Sequence, residues 1–364
     1  MGLFSTPQSY LGIDFDTNGV KVVELLNEQG RPRLVTYGYL DIEVEKSNAT
    51  KEKISYLDTA KWIKAVCKEA KTTTTKVVTA LPAFSVFSSI LNLPEMPSKD
   101  LAAAVKWEAK KIIPMPIQEM ILDWKILPAV AGENQTINSN ADTAFGYSTN
   151  GNEEELRKKG FLKISPETKK KYLKVLLTAA AKDLVKRYIE IFKAANLNLL
   201  SLDTEQFALI RSLVGNDRAP LMIVDIGSVV TNVTIVSENV PLLNRSIDIG
   251  GLTITKAIAS SLNINLGRAE QFKYDVGLSQ QVSQGNVPKA IETTLTPIVD
   301  ELRYSINLFK NQSQRNIEKI ILTGGSSLLM NLPGYLTNLL GVRVFLGDPW
   351  ARVVYPQDLK PILD

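Results

Sequence analysis

The chain has 364 residues, 45% hydrophobic and 22% charged, which is enough for at least two cores in a water-soluble globular protein. Forty-two Lys and Arg against 38 Asp and Glu leave a net charge of +4, too small a surplus to argue for a nucleic-acid partner. Histidine is absent and Cys67 is the single cysteine. That excludes Ser-His-Asp and Cys-His catalysis, the usual zinc ligand sets and an internal disulfide, and it suits a reducing compartment. No apolar run nears the ~20 residues of a membrane span, and neither a Walker-type nor a Rossmann glycine motif occurs. The start, Met1-Gly-Leu-Phe-Ser-Thr6, matches a short myristoylation pattern but is read as a disordered tail.

In chain order, Leu11–Leu26 and Arg33–Ile42 read as three strands of a meander, turned at Asn18-Gly19 and at Glu28-Gln29-Gly30. Leu57–Ala70 has helical spacing through Leu57, Ala60, Trp62, Ile63 and Val66, with Cys67 on the same stripe as a core thiol. Lys76–Leu81 is the next strand. Ser85–Leu93 alternates as a strand stopped by Pro94 and Pro97, and Ser98 is expected to cap a helix over Leu101–Ile113. Ile121–Leu127 returns as a strand. Residues 131–159, rich in Asn, Gly, Ser and Thr, read as an insertion or mobile hairpin loop. Lys174–Ala180 then reads as a buried strand and Lys182–Ala195 as an amphipathic helix. The run 86–197 is thus β–α–β–β–α, a small α+β subdomain inserted into a first domain, and Asp203–Leu213 is expected as one helix after it.

A second hairpin follows, with apolar runs Met222–Val224 and Val229–Val236 around Asp225-Ile-Gly227-Ser228. Gly227 can let backbone N–H groups close on a phosphate, whereas Asp225 suits Mg²⁺ or its waters. The first hairpin has the same plan, Leu11-Gly-Ile-Asp14 and then a polar turn, and the two aspartates lie 211 positions apart. Two like half-domains facing one nucleotide would explain the pair. Gly250-Gly251, a helix over Leu252–Ser261 and a long helix over Glu292–Lys310 come next. The buried strand from Ile320 then runs into Gly324-Gly325, with Ser326 or Ser327 expected to cap the helix beyond. Glycines there would let the backbone lie flat against a base or ribose.

The three glycine motifs, in this order, resemble the phosphate-1, phosphate-2 and adenosine motifs of actin-like ATPases. More closely, eight stretches resemble the type IV pilus assembly family PilM, and through it the cell-division protein FtsA. They are Leu11-Gly-Ile-Asp14 with Val20-Lys-Val-Val-Glu24, Ala80-Leu-Pro82, Leu93-Pro-Glu-Met-Pro97, Lys106-Trp-Glu-Ala-Lys-Lys-Ile-Ile-Pro114, Leu177-Thr-Ala-Ala-Ala-Lys182, Arg268-Ala-Glu-Gln-Phe-Lys273, Leu322-Thr-Gly-Gly-Ser-Ser327 and Gly347-Asp-Pro-Trp350. The resemblance implies an α/β, actin-like (ribonuclease H-like) two-domain ATPase fold with an inserted FtsA-like 1C subdomain. Its expected divisions are subdomain 1A at 1–85 and 198–218, 1C at 86–197, 2A at 219–262 and 318–345, 2B at 263–317, and a C-terminal segment at 346–364.

The resemblance also implies ATP with Mg²⁺, at most slowly hydrolysed. Asp14 and Asp225 would lie near the metal. Asp16, Thr17, Asn18, Gly19 and Lys21 would line the first phosphate turn, and Gly227, Ser228 and Thr231 the second. Glu270 and Lys273 would border the ribose and adenine, with Gly324, Gly325 and Ser326 beside them; otherwise the first two are a helical surface pair. Glu205 either orients an attacking water or is a solvated helix residue. Asp16 stands where the family has glycine, a carboxylate that would repel polyphosphate unless Mg²⁺ or Lys21 screens it. Gly19 would supply the lost flexibility. The family continues past the match to Asp364 into a helix packed on the first domain, so the chain is shortened here or the domain closes differently. The implied place is cytoplasmic, peripheral to the inner face of the membrane through partners. Those partners would be the cytoplasmic N-terminal peptide of PilN, held in a groove beside the inserted subdomain, and other pilus platform proteins, with self-association possible and no nucleic acid. A filament-forming scaffold like FtsA and a small-molecule kinase on the same fold are the alternatives.

Overall fold

The computed structural model describes residues 8–16, 19–41, 55–127, 172–279 and 286–363. The tail Met1–Thr6, the turn residues Thr17 and Asn18, and the loop read at 131–159 lie outside the described residues. The chain divides into two compact units, one made of Met1–Val86 with Ala180–Asp364, the other of Phe87–Ala179.

Strands β1 (Ser9–Phe15), β2 (Gly19–Glu28) and β3 (Arg31–Asp41) form the expected meander, followed by helix α1 (Tyr56–Glu69) and β4 (Lys76–Leu81). Ser55 caps α1 by accepting the Leu57 N–H. The smaller unit comprises β5 (Val86–Pro94), α2 (Ser98–Ile112), β6 (Met120–Ile126) and β7 (Tyr172–Ala181), its sheet ordered β5-β7-β6. Helix α2 starts at Ser98 rather than being capped by it. Pro97, extended at φ −58° and ψ 142°, takes the cap position with no side-chain bond. Its buried residues Leu101, Val105 and Ala109 recur every fourth position, a single stripe.

The larger unit resumes with α3 (Lys182–Ala194) and β8 (Asn198–Thr204). The helix expected over Asp203–Leu213 is instead the end of β8, a short α4 (Glu205–Leu209) and a π-turn at Ile210–Val214. A second meander follows in β9 (Leu221–Ile226), β10 (Thr231–Ser237) and β11 (Val240–Ile247). Next come α5 (Gly251–Leu262), α6 (Leu266–Val276), α7 (Asn286–Ser313), β12 (Lys319–Thr323), α8 (Leu332–Leu340) and β13 (Arg343–Leu346). Neither Ser326 nor Ser327 caps a helix. Gly325–Leu328 is a 3-10 turn in which Ser327 Oγ donates to the Gly324 carbonyl at 2.7 Å, and α8 starts only after Asn331.

The two large sheets share one plan. Their orders are β3-β2-β1-β4-β8 and β11-β10-β9-β12-β13. In each, an antiparallel meander is extended on the side of its first strand by two parallel strands. Asp14 ends β1 opposite Lys21, and Asp225 ends β9 opposite Asn232, so the two aspartates occupy like places. The first core joins Leu11, Ile13, Val20 and Val22 to Ile63, Ile191 and Phe192 of α1 and α3. The second joins Met222, Val224 and Ile226 to Ile254, Ile258 and Leu302. Leu221 and Ile223, on the other face of β9, pack with Ile210, Val214 and Ile321. Burial on both faces is why β9 is an unbroken apolar run rather than an alternating one. Glu24, with no exposed surface, accepts the Thr73 N–H at 2.7 Å and the Thr73 hydroxyl at 2.5 Å, which fixes the loop between α1 and β4. Among the described residues no helix is long and apolar enough to cross a membrane.

Phe192 is fully buried beside Phe15, ring centroids 6.0 Å apart. Phe192→Ala is expected to cost about 3–5 kcal/mol in urea denaturation; a loss under about 1 kcal/mol would mean this core is not packed as described.

Candidate functional site

The site begins with two strand ends. In the first turn the Asp16 N–H donates to the Gly19 carbonyl at 3.0 Å, and the Gly19 N–H donates to Asp16 Oδ1 at 3.0 Å. Asp16 therefore closes its own turn, a task a glycine side chain cannot perform. In the second turn the Gly227 N–H donates to Val230 O, while the carbonyls of Gly227 and Ser228 accept the N–H groups of Gly251 and Leu252 at 2.9 and 2.8 Å. That turn thus caps α5, whose first donors are already engaged.

The third motif touches the second directly. Thr323 pairs with Asp225 across β12 and β9, and Gly324 follows at φ +83°. A Cβ at Gly324 would collide with Asp225 Oδ1 and the Ile226 carbonyl, so only glycine passes there. Beyond it, Ser326 lies against Gly251, leaving no room for a Cβ at 251. Lys273 is 4% exposed, and its Nζ donates to Glu270 Oε1 at 2.6 Å and Thr255 Oγ1 at 3.1 Å. The Thr255 hydroxyl also bonds Glu270 Oε2. Glu270, partly exposed, and buried Lys273 therefore hold each other in a network that also includes Thr255.

Electrostatics bring the two halves to one cleft. Burial pushes Asp225 up to about 6, and the charge of Asp14 adds to it; the Asn232 amide and Lys21 pull the other way. Asp14 has solvent-exposed surface yet is ringed by enough protein that desolvation raises it, with Lys21 opposing and Asp16 adding. Glu205, first residue of α4, accepts the Ala83 N–H at 2.8 Å. Burial raises it to about 8; that hydrogen bond opposes the shift, and Asp14, Asp225 and Asp16 reinforce it.

Asp14, Asp16, Lys21, Glu205 and Asp225 are thus within electrostatic reach of one another. Glu270, Lys273 and Ser326 cluster around Gly251, and Gly324 abuts Asp225. Thr231 is apart from them: it has no exposed surface, and its hydroxyl donates to the Ile249 carbonyl at 2.7 Å. Gly325 has open space where a Cβ would be. Thr17 and Asn18 fall outside the described residues. Sequence reasoning passed over Asn232, Gly251 and Thr255. Asn232 had a signal, as the amide residue placed opposite Asp225 in a hairpin whose other polar strand residues are hydroxyls. Thr255 had none, because its partners are set by the packing of α5 on α6.

The family described as "Type IV pilus assembly protein PilM" matches residues 12–143 and 158–361. This chain belongs to the PilM family. A solved PilM-PilN type IV pilus biogenesis complex contains a chain 26% identical, with a TM-score of 0.72 over 96% of this chain and 91% of that one. EutJ from Carboxydothermus hydrogenoformans is 13% identical at a TM-score of 0.53, covering 94% of this chain and 85% of EutJ. MreB5 of Spiroplasma citri, solved with ADP, is 12% identical at 0.50, covering 94% and 92%. These two speak to the fold alone, which is the actin-like ATPase fold. Among curated proteins, the cell shape-determining protein MreB of Escherichia coli K12 is 26% identical over 158 residues, 35% of this chain. The chain spans about half the length of the curated relatives it matches, 46% for that MreB. PilM-family membership makes this an actin-like protein of type IV pilus assembly.

A carboxyl whose pKa is higher folded than unfolded keeps its proton in the native state. Its stabilising effect is full below the unfolded value, 4.5 for Glu205, and is lost as pH climbs toward about 8. The nucleotide-free protein should therefore melt lower at pH 8 than at pH 5, and Glu205→Gln should flatten that slope in scanning fluorimetry. An unchanged slope in the variant would contradict the placement of Glu205.

Proposed function

We propose that this PilM-family chain binds ATP with Mg²⁺ between the turns at Asp14 and Asp225, and that the bound nucleotide sets how well it holds a short cytoplasmic peptide of a PilN-like membrane partner. The observation that supports the nucleotide half is the pair of aspartates, carried at like places on two like turns and near enough that the charge of Asp14 raises Asp225. Like carboxylates in an open polar cleft call for a cation of hard-oxygen preference. Mg²⁺ fits that donor set, since it is commonly bound by one or two carboxylates together with phosphate oxygens and water. Its chemical contribution would be to neutralise the carboxylates and the polyphosphate together.

In this reading Asp14 and Asp225 hold the ion or its waters, and Lys21 supplies the further positive charge. Gly227 and Ser228, with Thr17, Asn18 and Gly19, border the phosphates. Gly324, Gly325 and Ser326 with the Glu270–Lys273 pair border the nucleoside. Thr231 acts from within, fixing the base of the second turn. Glu205, pushed up to about 8, is mostly protonated at neutral pH without a cation nearby. Mg²⁺ at Asp14 and Asp225 would relieve part of that shift, leaving Glu205 to orient the attacking water, with turnover at most slow. The partner half is supported by the PilM-PilN complex, whose matching chain is similar over nearly the whole length of this one. The protein would then work in the cytoplasm, at the inner face of the membrane through that partner.

Calorimetry decides the nucleotide half: Mg·ATP should bind with a micromolar Kd that weakens at least about tenfold without Mg²⁺, a difference of about 1.4 kcal/mol. Absence of binding in both conditions would overturn it. For the partner half, a peptide of the partner's first cytoplasmic residues should change affinity by about 5-fold or more between the nucleotide-free and Mg·ATP forms. Equal affinities would remove the coupling.

A further inference from the structure

Two chain crossings join the sheet that carries Asp14 to the sheet that carries Asp225. The first leaves β8 at Thr204, passes through α4 and the π-turn Ile210–Val214, and enters β9 at Leu221. The second leaves β13 at Leu346 and returns to the edge of the first sheet. There the Leu34 N–H donates to Val354 O, and the Val354 N–H to Pro32 O, each at 2.9 Å.

Arg352 fastens these crossings to each other. Its Nη2 donates to the carbonyl of Arg211 at 2.9 Å and also to that of Ser212. Both carbonyls belong to the last turn of the first crossing, where backbone acceptors commonly lack a helical partner and a cation is favoured. The guanidinium lies against Gly215, which ends the π-turn at φ +65°. The backbone angle calls for glycine, and a Cβ at 215 would stand 2.5 Å from Nη1 and 2.9 Å from Cζ, so a side chain there would push the guanidinium away. Near this contact an open pocket of about 530 Å³ is lined by Leu213 and Asp217 of the first crossing, by Gly347, Asp348 and Ala351 of the second, and by β12 and β13 between them. Leu213 also packs close against Gly347, so Arg352 adds the polar tie to an apolar contact between the crossings. The other end of the first crossing lies in the cleft, where Glu205 accepts the Ala83 N–H. π-turns are frequent at functional sites, and hinges are built from a few element-terminal residues.

We propose that Arg352 is the positioning residue of a hinge: by locking the two crossings together, it makes a change at the Glu205 end of the first crossing reorient the two sheets. What drives the change, a nucleotide in the cleft, rests on the function proposed above, but the lock itself belongs to the chain alone. Its two halves can be broken independently, by Arg352→Ala from one crossing and by Gly215→Ala from the other.

Spin labels at Arg31→Cys and Lys256→Cys, in a Cys67→Ser background, report the distance between the sheets by pulsed electron resonance. Without nucleotide, both hinge variants should show a broader distance distribution than the parent. On adding Mg·ATP the parent should shift and the variants should not, while their ATP affinity stays within about 3-fold of the parent's. Gly215→Ala should melt lower because of its backbone angle alone, so Arg352→Ala, with an unchanged melting temperature, separates the lock from a loss of fold. Should Arg352→Ala fail to fold, Arg352→Lys keeps the stem and the charge but loses the fork that spans two carbonyls. Variants with the parent's distribution and shift would overturn the hinge, as would a parent that binds Mg·ATP without any shift. If the parent binds no ATP, the nucleotide reading fails, and the nucleotide-free distributions still decide the lock.

Discussion

Everything at the cleft follows from like charges that the fold holds together. Asp14 and Asp225 each sit near the end of a first strand, in two sheets of the same order, close enough that the charge of Asp14 raises Asp225. Without a cation the arrangement costs stability: burial raises both carboxyls, Asp16 adds to the shift of Asp14 and Asp14 to that of Asp225, and the same charges reach Glu205. Such a cost persists where it prepares a ligand's place. Lys21, opposite Asp14 on β2, offsets part of it.

The remaining parts serve to let backbone approach these charges. Gly324 carries the third motif past Asp225 where any side chain would collide, and Gly251 accepts Ser326 in the same way. Asn232 gives Asp225 an amide partner, and Thr231 ties the second turn to Ile249 from within. Buried Lys273, bonded to Glu270 and Thr255, fixes α6 to α5 beside them. The cleft is built largely from backbone approach and a few carboxylates rather than from a dense set of catalytic side chains, which accords with binding more than with rapid chemistry.

Much of this was legible in the chain. Both hairpins announce themselves by apolar runs around an acidic turn, and β4, α1 and α3 by clear periodicity. β8 and β13 were not, because Asn-Leu-Leu-Ser-Leu-Asp-Thr and Arg-Val-Phe-Leu are short and owe their strand form to parallel neighbours β4 and β12. The helix expected over Asp203–Leu213 failed at both ends for tertiary reasons. Pairing with β4 extends the strand through Thr204, and a π-turn replaces the last helical turn, where Arg352, 141 positions from Arg211, takes its carbonyl. Ser98 and Ser326 looked like caps by composition, but Pro97 and Gly324 already set the backbone there. The site residues nearest the aspartates could be named from the turns alone. Those reached through packing, Thr255 and Gly251 among them, could not.

The central claim is that Asp14 and Asp225 serve one ion and one triphosphate. A double-mutant cycle on Mg·ATP binding tests it most directly, using Asp14→Asn, Asp225→Asn and the pair together. A shared site predicts that each single change weakens binding and that the double change is little worse than the weaker single, a coupling of about 1–3 kcal/mol. Additive losses would place the two carboxylates in separate sites and contradict the account.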